Sequence, residues 1–209
     1  MINTDISIYV PVYNGEKTIE KCVNSILNQT LKPKNILIIN DCSNDSTLEI
    51  LKGYGDKIKI YNNSKNRGVS FCRNLAINKL ETRFIASIDA DVELDSSWLE
   101  TLYYKMQKNK ITLIGGRMFE KYVDNACNYW RSLRIAQQWG DEDILNPNFV
   151  FGCNNLLDTN NIEIRNIFNL QGEYFKTNGE DIEFSKYLKE KRLKIYYCSA
   201  VSYTHLTLP

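Results

Sequence analysis

Asp89 and Asp91 stand one residue apart at the end of the apolar run Phe84-Ile85-Ala86-Ser87-Ile88. Four or five apolar or small residues with β-branched members predict a buried strand. In open α/β sheets, ligand sites lie just beyond the carboxyl ends of such strands, so both carboxylates are expected at a cleft. Hard oxygen ligands of this kind suit Mg²⁺ or Mn²⁺, which keep waters and take substrate phosphates as further ligands. The implied substrate carries a diphosphate. Acidic residues near a strand end are also common turn formers, so the surrounding chain has to decide.

The elements that must position these residues are legible in the periodicity. Ile6-Ser7-Ile8-Tyr9-Val10 predicts a strand stopped by Pro11, with Tyr13-Asn14-Gly15 as a turn. Ile19, Cys22, Val23, Ile26 and Leu27 recur at helical spacing. Ile36-Leu37-Ile38-Ile39 is a buried strand that ends at Asn40-Asp41-Cys42-Ser43-Asn44-Asp45, a second acidic strand end. Asp45 or Ser46 caps a helix with Leu48, Ile50 and Leu51, closed by Gly53. Lys57 to Tyr61 alternates as a strand, Asn62 to Gly68 is a polar turn, and Val69, Cys72, Leu75, Ala76 and Leu80 mark the next helix. After the carboxylate-bearing strand, Asp95 or Ser96 caps a helix with Trp98, Leu99, Leu102 and Tyr103. Strands alternating with helices in this way predict an α/β fold with a mostly parallel central sheet, right-handed crossovers and helices on both faces. This is a nucleotide-binding type of scaffold.

Ile111 to Ile114 predicts another strand, after which the alternation is lost. Phe119 to Asn148 reads as a helix mixed with long loops, in which Tyr122, Tyr129, Trp130 and Trp139 are most simply core. Glu180-Asp181 then opens a helix with Ile182, Phe184, Tyr187 and Leu188, and Leu193 to Cys198 is a last strand.

With 209 residues the chain has the size of one domain, and 43% hydrophobic against 24% charged residues excludes disorder. A net charge of +1, with Lys and Arg interspersed among Asp and Glu, argues against nucleic acid as a partner. The start, Met1-Ile2-Asn3-Thr4-Asp5, lacks signal-peptide features and no run reaches membrane-spanning length, so a cytoplasmic location is expected. Cys22, Cys42, Cys72, Cys127, Cys153 and Cys198 form no Cys-x-x-Cys pair and read as reduced small hydrophobes.

Taken in order, these stretches resemble the family 2 glycosyltransferases, whose catalytic domain has the GT-A fold, a Rossmann-like nucleotide-diphospho-sugar transferase architecture. Val10-Pro11-Val12-Tyr13-Asn14 looks like the family's first strand and turn, and Asn40 to Thr47 looks like its second strand end, with Asn40 in place of a common acidic residue. Asn66-Arg67-Gly68 and Arg73-Asn74 resemble the next segment, Asp89-Ala90-Asp91 the metal-binding Asp-x-Asp motif, and Glu180-Asp181 the acidic pair that carries the catalytic base. Phe151-Gly152-Cys153-Asn154-Asn155 looks like a Gly-containing segment beneath donor sugar and acceptor.

The resemblance implies an inverting transfer of sugar from a nucleotide-sugar donor, by default UDP-linked, to a hydroxyl of a polysaccharide or lipid-linked glycan. It implies nucleotide binding by Pro11, Tyr13, Asn14, Asp41, Arg73, Asp89 and Asp91, with Asp41 accepting from the imide N–H of uracil. Asp91, with Asp89, would hold the divalent cation, Mn²⁺ or Mg²⁺, against the diphosphate. Arg73 would pair through its planar fork with a phosphate or a carboxylate. Asp181 would be the general base, Glu180 would orient the pair or bind acceptor, and Gly152 and Asn154 would contact donor or acceptor. The expected organisation is one catalytic domain over residues 1–199, with a nucleotide-binding half 1–116 and an acceptor half 117–199.

Residues 200–209, which include the sole histidine, His205, look like translated read-through of a sequencing adapter and are expected to be non-native. The natural chain would then continue past Cys198 or Ser199 in place of this tail and supply further acceptor contacts, a further His, or peripheral association with the inner face of the membrane. Ile88 to Val92 also resembles the first motif of haloacid-dehalogenase-like phosphatases, with Asp89 as nucleophile, but that motif normally lies near the N-terminus. It leaves Asp41 and Glu180-Asp181 without a role. A glycoside hydrolase built on two carboxylates, or an inactive nucleotide-binding remnant, would also be compatible with paired acidic residues.

Overall fold

A computed structural model describes residues 5–120, 126, 129–130, 138–162 and 179–205. Strand β1 (Ile6–Val12) is buried along its whole length. Strands β2 (Asn35–Asn40) and β3 (Lys59–Asn62) follow on one side of it, and β4 (Phe84–Ile88) lies on the other, all parallel. The chain thus reverses its direction of travel across the sheet at β1. Such a reversal opens a crevice at the carboxyl ends of the strands, the usual ligand position in this kind of sheet.

The connecting helices are α1 (Ile19–Leu27), α2 (Thr47–Lys52) and α3 (Val69–Lys79), followed by α4 (Trp98–Asn109) after β4 and α5 (Glu180–Glu190) late in the chain. Because strand side chains alternate, β1 feeds two cores. Ile8 and Val10 join Ile19 and Val23 of α1 and Trp98 and Leu102 of α4, while Tyr9 joins Cys72 and Ala76 of α3 and Phe184 and Leu188 of α5. The sheet is covered on both faces, as its run of fully buried β1 and β4 residues requires.

Beyond β4 the sheet becomes mixed. Strand β5 (Val92–Leu94) follows the Asp-x-Asp segment directly, and β6 (Leu113–Glu120), β7 (Ile144–Leu145), β8 (Asn154–Asp158) and β9 (Ile195–His205) complete the described strands. The order is β3-β2-β1-β4-β8-β6-β9-β5, with β7 on β9, and β8 runs antiparallel between β4 and β6. β9 continues through residues 200–205, beyond the expected end at Cys198. A register shift between Gly116 and Arg117 lets Arg117–Glu120 pair with Ser202–His205, and β5 closes the other edge of β9, bringing the backbone of His205 opposite Val92.

Tyr129 and Trp130 depart from the expected core role, at 57% and 56% exposed, whereas Trp139 packs on Phe149 and Phe151. Tyr122 and Cys127 lie outside the described residues. Cys22, Cys42, Cys72, Cys153 and Cys198 are free thiols, all but Cys42 buried. Among the described residues no helix is long and apolar enough to cross a membrane.

Candidate active site

A cleft of about 560 Å³ opens at the carboxyl ends of β1, β2 and β4, at the reversal in strand order. Pro11, Tyr13 and Asn14 reach it from the end of β1, Asp41 from the end of β2, and Arg73 from α3. Asp89 and Asp91 reach it from beyond β4, and Glu180 from the first turn of α5. Eight residues singled out from separate stretches of sequence therefore share one wall system. Thr18, Val69 and Cys72 also line it. Their types carried no signal, since Val69 and Cys72 read as part of the apolar stripe of α3.

The loops after β1 and β2 are laced together at the cleft mouth. Asn14 adopts a left-handed φ of 52°, and its N–H donates to Ser43 Oγ at 2.9 Å while its own Oδ1 accepts from Asn44 N at 3.0 Å. Gly15 N donates to Thr47 Oγ1 at 2.8 Å, and Glu16 N to Asp45 Oδ2 at 3.1 Å. Asn40, buried where an acidic residue is common, accepts from Ser43 N at 3.2 Å and donates to Asn62 Oδ1 at 2.6 Å. These bonds fix the wall and engage the N–H and Oδ1 of Asn14. Tyr13 remains half exposed, its ring on the cleft.

Asp41 lines the cleft, yet its carboxylate is 3% exposed and already engaged. It accepts from Asn63 Nδ2 at 2.6 Å, from Arg67 N at 2.9 Å with both oxygens, and from Gly68 N at 2.8 Å. Three N–H donors, one of them shared between both oxygens, thus occupy the carboxylate. In this arrangement Asp41 holds the Asn66-Arg67-Gly68 turn rather than offering a free acceptor to a base. Gly68, at φ 83°, supplies the left-handed residue that the turn needs before α3.

Arg73 is the electrostatic centre of the site. It is 4% exposed, Nη2 donates to Asp89 Oδ1 at 3.1 Å, and Nη1 donates to Glu180 Oε1. Burial works against the guanidinium charge, and the surrounding negative groups, Asp89 foremost, outweigh it and hold the cation more firmly than usual. Of the two expected partners for Arg73 the structure supplies carboxylates, in the interior rather than at the surface. Burial pushes the Asp89 carboxyl up, and Arg73 opposes the shift.

Asp91 and Asp89 present their carboxylates to the same cleft, and Asp89 shares its charge with Arg73. Among the described residues no group of three or more His, Cys, Asp or Glu stands together as a metal cage. Mg²⁺ and Mn²⁺ do not need one, because waters and substrate phosphates complete their shell. The hard oxygen chemistry of Asp89 and Asp91 fits such a cation.

Three expected site residues lie off the cleft. Asp181 turns to the far side of Gly152, whose N–H donates to Asp181 Oδ2 at 3.3 Å, while Ile182 N donates to Oδ1 at 2.9 Å. It borders a small internal cavity of about 20 Å³ shared with Tyr9, Ser87 and Phe184. Burial raises the Asp181 carboxyl above the usual carboxylate range, against the pull of those two backbone bonds. Gly152 lies against Arg73 from behind and borders the same small cavity. Asn154 is fully buried, and its Oδ1 accepts from Trp98 Nε1 at 2.6 Å on the α4 side of the sheet. The alternation of β8 points it away from the cleft, so donor or acceptor contact by its side chain is corrected to a structural bond under α4.

A Rossmann-like sheet with a cleft at its strand reversal, extended by an antiparallel strand, is the GT-A architecture. The sequence matches the family described as "Glycosyl transferase family 2" over residues 7–165, and the chain belongs to that family. It is 30% identical over 135 residues to glycosyltransferase GlyA of Streptococcus pneumoniae, covering 64% of this chain and 19% of that protein. It is 32% identical over 142 residues to an uncharacterized glycosyltransferase of Haemophilus influenzae, covering 66% of this chain and 42% of that one. The chain thus spans less than half of either relative.

Two solved structures share the fold. Residues 1–349 of S. aureus TarS in complex with UDP superpose with a TM-score of 0.73 at 22% identity, covering 98% of this chain and 61% of that one. GalNAc-T7 with UDP, GalNAc and Mn²⁺ superposes with a TM-score of 0.68 at 16% identity, covering 97% and 44%. A haloacid-dehalogenase-like phosphatase receives no support from these comparisons.

Proposed function

We propose that this domain transfers a sugar from a UDP-linked donor to a hydroxyl of a glycan or lipid-linked acceptor, with inversion at the anomeric carbon and assistance from a divalent cation. The carrying observation is the single cleft at the strand reversal, into which separate elements bring Tyr13, Arg73, Asp89, Asp91 and Glu180. The UDP complex of TarS and the UDP and Mn²⁺ of GalNAc-T7, on the same fold, support the choice of donor and cation.

Each residue has a chemical task in this reading. The exposed ring of Tyr13 offers a face to the base, and the turn held by Asp41 shapes the wall beside it. A divalent cation held by Asp91, with Asp89 beside it, would neutralise the charge that develops on the departing diphosphate. Glu180 is spent on Arg73 and orients the cleft floor. Asp181 is the general base. Its carboxyl, raised by burial, sits closer to neutral pH than an ordinary aspartate, which favours proton abstraction from an acceptor hydroxyl. Because Asp181 lies off the cleft, reaching an acceptor hydroxyl requires it to exchange its long bond to Gly152 N for one to the acceptor as substrate binds. Attack opposite the leaving diphosphate then inverts the anomeric carbon.

The test is UDP release from a panel of UDP-hexoses and UDP-N-acetylhexosamines, with water or added glycan as acceptor. Wild type should release UDP from at least one donor, with inverted product by NMR, and Asp181→Asn should slow release by about 10²- to 10⁴-fold. Retention of configuration, or full activity in Asp181→Asn, contradicts the assignment.

A further inference from the structure

Gly152 stands between Asp181 and the arginine that binds Glu180. Its N–H donates to Asp181, and on its other side the Arg73 guanidinium that binds Glu180 lies in direct contact. A Cβ built at Gly152 would stand 2.6 Å from Arg73 Nη1, 3.0 Å from Cζ and 3.1 Å from Nη2. All three distances are shorter than ordinary van der Waals contact.

The end of an arginine usually yields to such a clash at little cost. Here the only yielding direction is into the cleft, and moving there strains the bonds that hold Nη1 to Glu180 and Nη2 to Asp89. Gly152 is not among the residues with positive φ, so a methyl group there meets no backbone strain. The penalty of Gly152→Ala falls on the guanidinium.

We propose that Gly152 is a positioning residue: the lack of a side chain there seats Arg73 between Asp89 and Glu180, and through that seat fixes the carboxylates of the cleft. This rests on reading the cleft as the donor site. It also differs from the expectation that a small residue at this position serves close approach of the sugar.

A double-mutant cycle on the full chain separates these roles. Gly152→Ala should lower the UDP-release kcat by about 10²-fold, the scale of a catalytic group displaced by about 1 Å, with donor KM moved less than about 3-fold. Arg73→Lys keeps the charge but removes the Nη1 atom that the methyl group would strike. In that background, adding Gly152→Ala should change kcat less than about 2-fold. Losses that simply add, or a Gly152→Ala defect confined to KM, overturn the proposal in favour of direct sugar contact. If Arg73→Lys does not fold, Glu180→Gln serves as the second background, because it frees Nη1 to move and carries the same expectation. If wild type releases no UDP from any donor, the reading of the function fails separately. The seat is then tested by melting temperatures of the same four proteins: non-additive shifts support it and additive shifts overturn it.

Discussion

Arg73 and Glu180, 107 residues apart in the chain, form a buried ion pair across the floor of the cleft. Asp89 shares the same guanidinium, so one cation compensates two carboxylates from different elements. Removing one partner of such a pair leaves uncompensated charge out of water, which costs about 3–5 kcal/mol. Arg73→Met should lower unfolding stability by that amount in urea titration, and Glu180→Gln by clearly less, because Asp89 still balances Arg73. Equal stability of Arg73→Met and wild type would show the pair to be solvated.

Asp181 gives the site a pH dependence of known sign. Its carboxyl is raised in the folded protein by burial, so as the proposed base it loses its ionised form at a higher pH than an ordinary aspartate does. The acid limb of kcat/KM should therefore lie above the usual aspartate range and vanish in Asp181→Asn. For stability the sign is opposite to that of a salt-bridged acid. The folded state holds this proton more tightly, so the contribution is full below the unfolded value and is lost as pH rises through the folded one.

Asp41 distinguishes a wall-builder from a base-reader. Asp41→Ala leaves the buried amide of Asn63 and the N–H groups of Arg67 and Gly68 without their acceptor, and a buried unsatisfied donor such as Asn63 Nδ2 costs about 1–3 kcal/mol. The loss should appear in chemical denaturation without any nucleotide. A residue whose work is to contact uracil would leave nucleotide-free stability unchanged.

Asp143 ties β9 to the segment before β8. It accepts from Ser199 N at 2.9 Å and Tyr196 OH at 3.0 Å, and it pairs with Lys105 of α4. Burial alone would raise its carboxyl, but Lys105 and these hydrogen bonds outweigh burial and hold it below the usual range. A depressed folded value contributes stability above the unfolded value and loses it as pH falls. Asp143→Asn should cost about 1 kcal/mol at pH 7, allowing for solvent screening of a partly exposed pair, and the difference should close in acid.

The first half of the fold was legible because its signals are local. Helical stripes such as Ile19, Cys22, Val23 and Ile26, and runs such as Ile36 to Ile39, are dictated by burial on one or both faces. β8 was not legible as a strand: Asn154-Asn155-Leu156-Leu157-Asp158 has neither alternation nor β-branched residues, and its place between β4 and β6 comes from tertiary pairing. At three residues, β5 is too short for a period.

Residue types announced the cleft, whereas their partners did not. Asp89, Asp91 and Asp41 are visible as strand-end carboxylates, but nothing local says that Asp41 is filled by Arg67 and Gly68 or that Arg73 reaches Glu180. Gly152 read as a donor or acceptor contact, and its relation to Arg73 exists only once α3 and the approach to β8 meet in space.

In the proposed function the cleft binds a uridine diphosphate with a metal anchored at Asp91. Calorimetric titration of UDP and GDP, with Mn²⁺ and then with EDTA, on wild type and Asp91→Ala tests it most directly. The predicted result is UDP binding that requires the metal and is lost in Asp91→Ala. A folded wild-type sample that binds neither nucleotide, or that binds UDP equally well in EDTA and in Asp91→Ala, would contradict it.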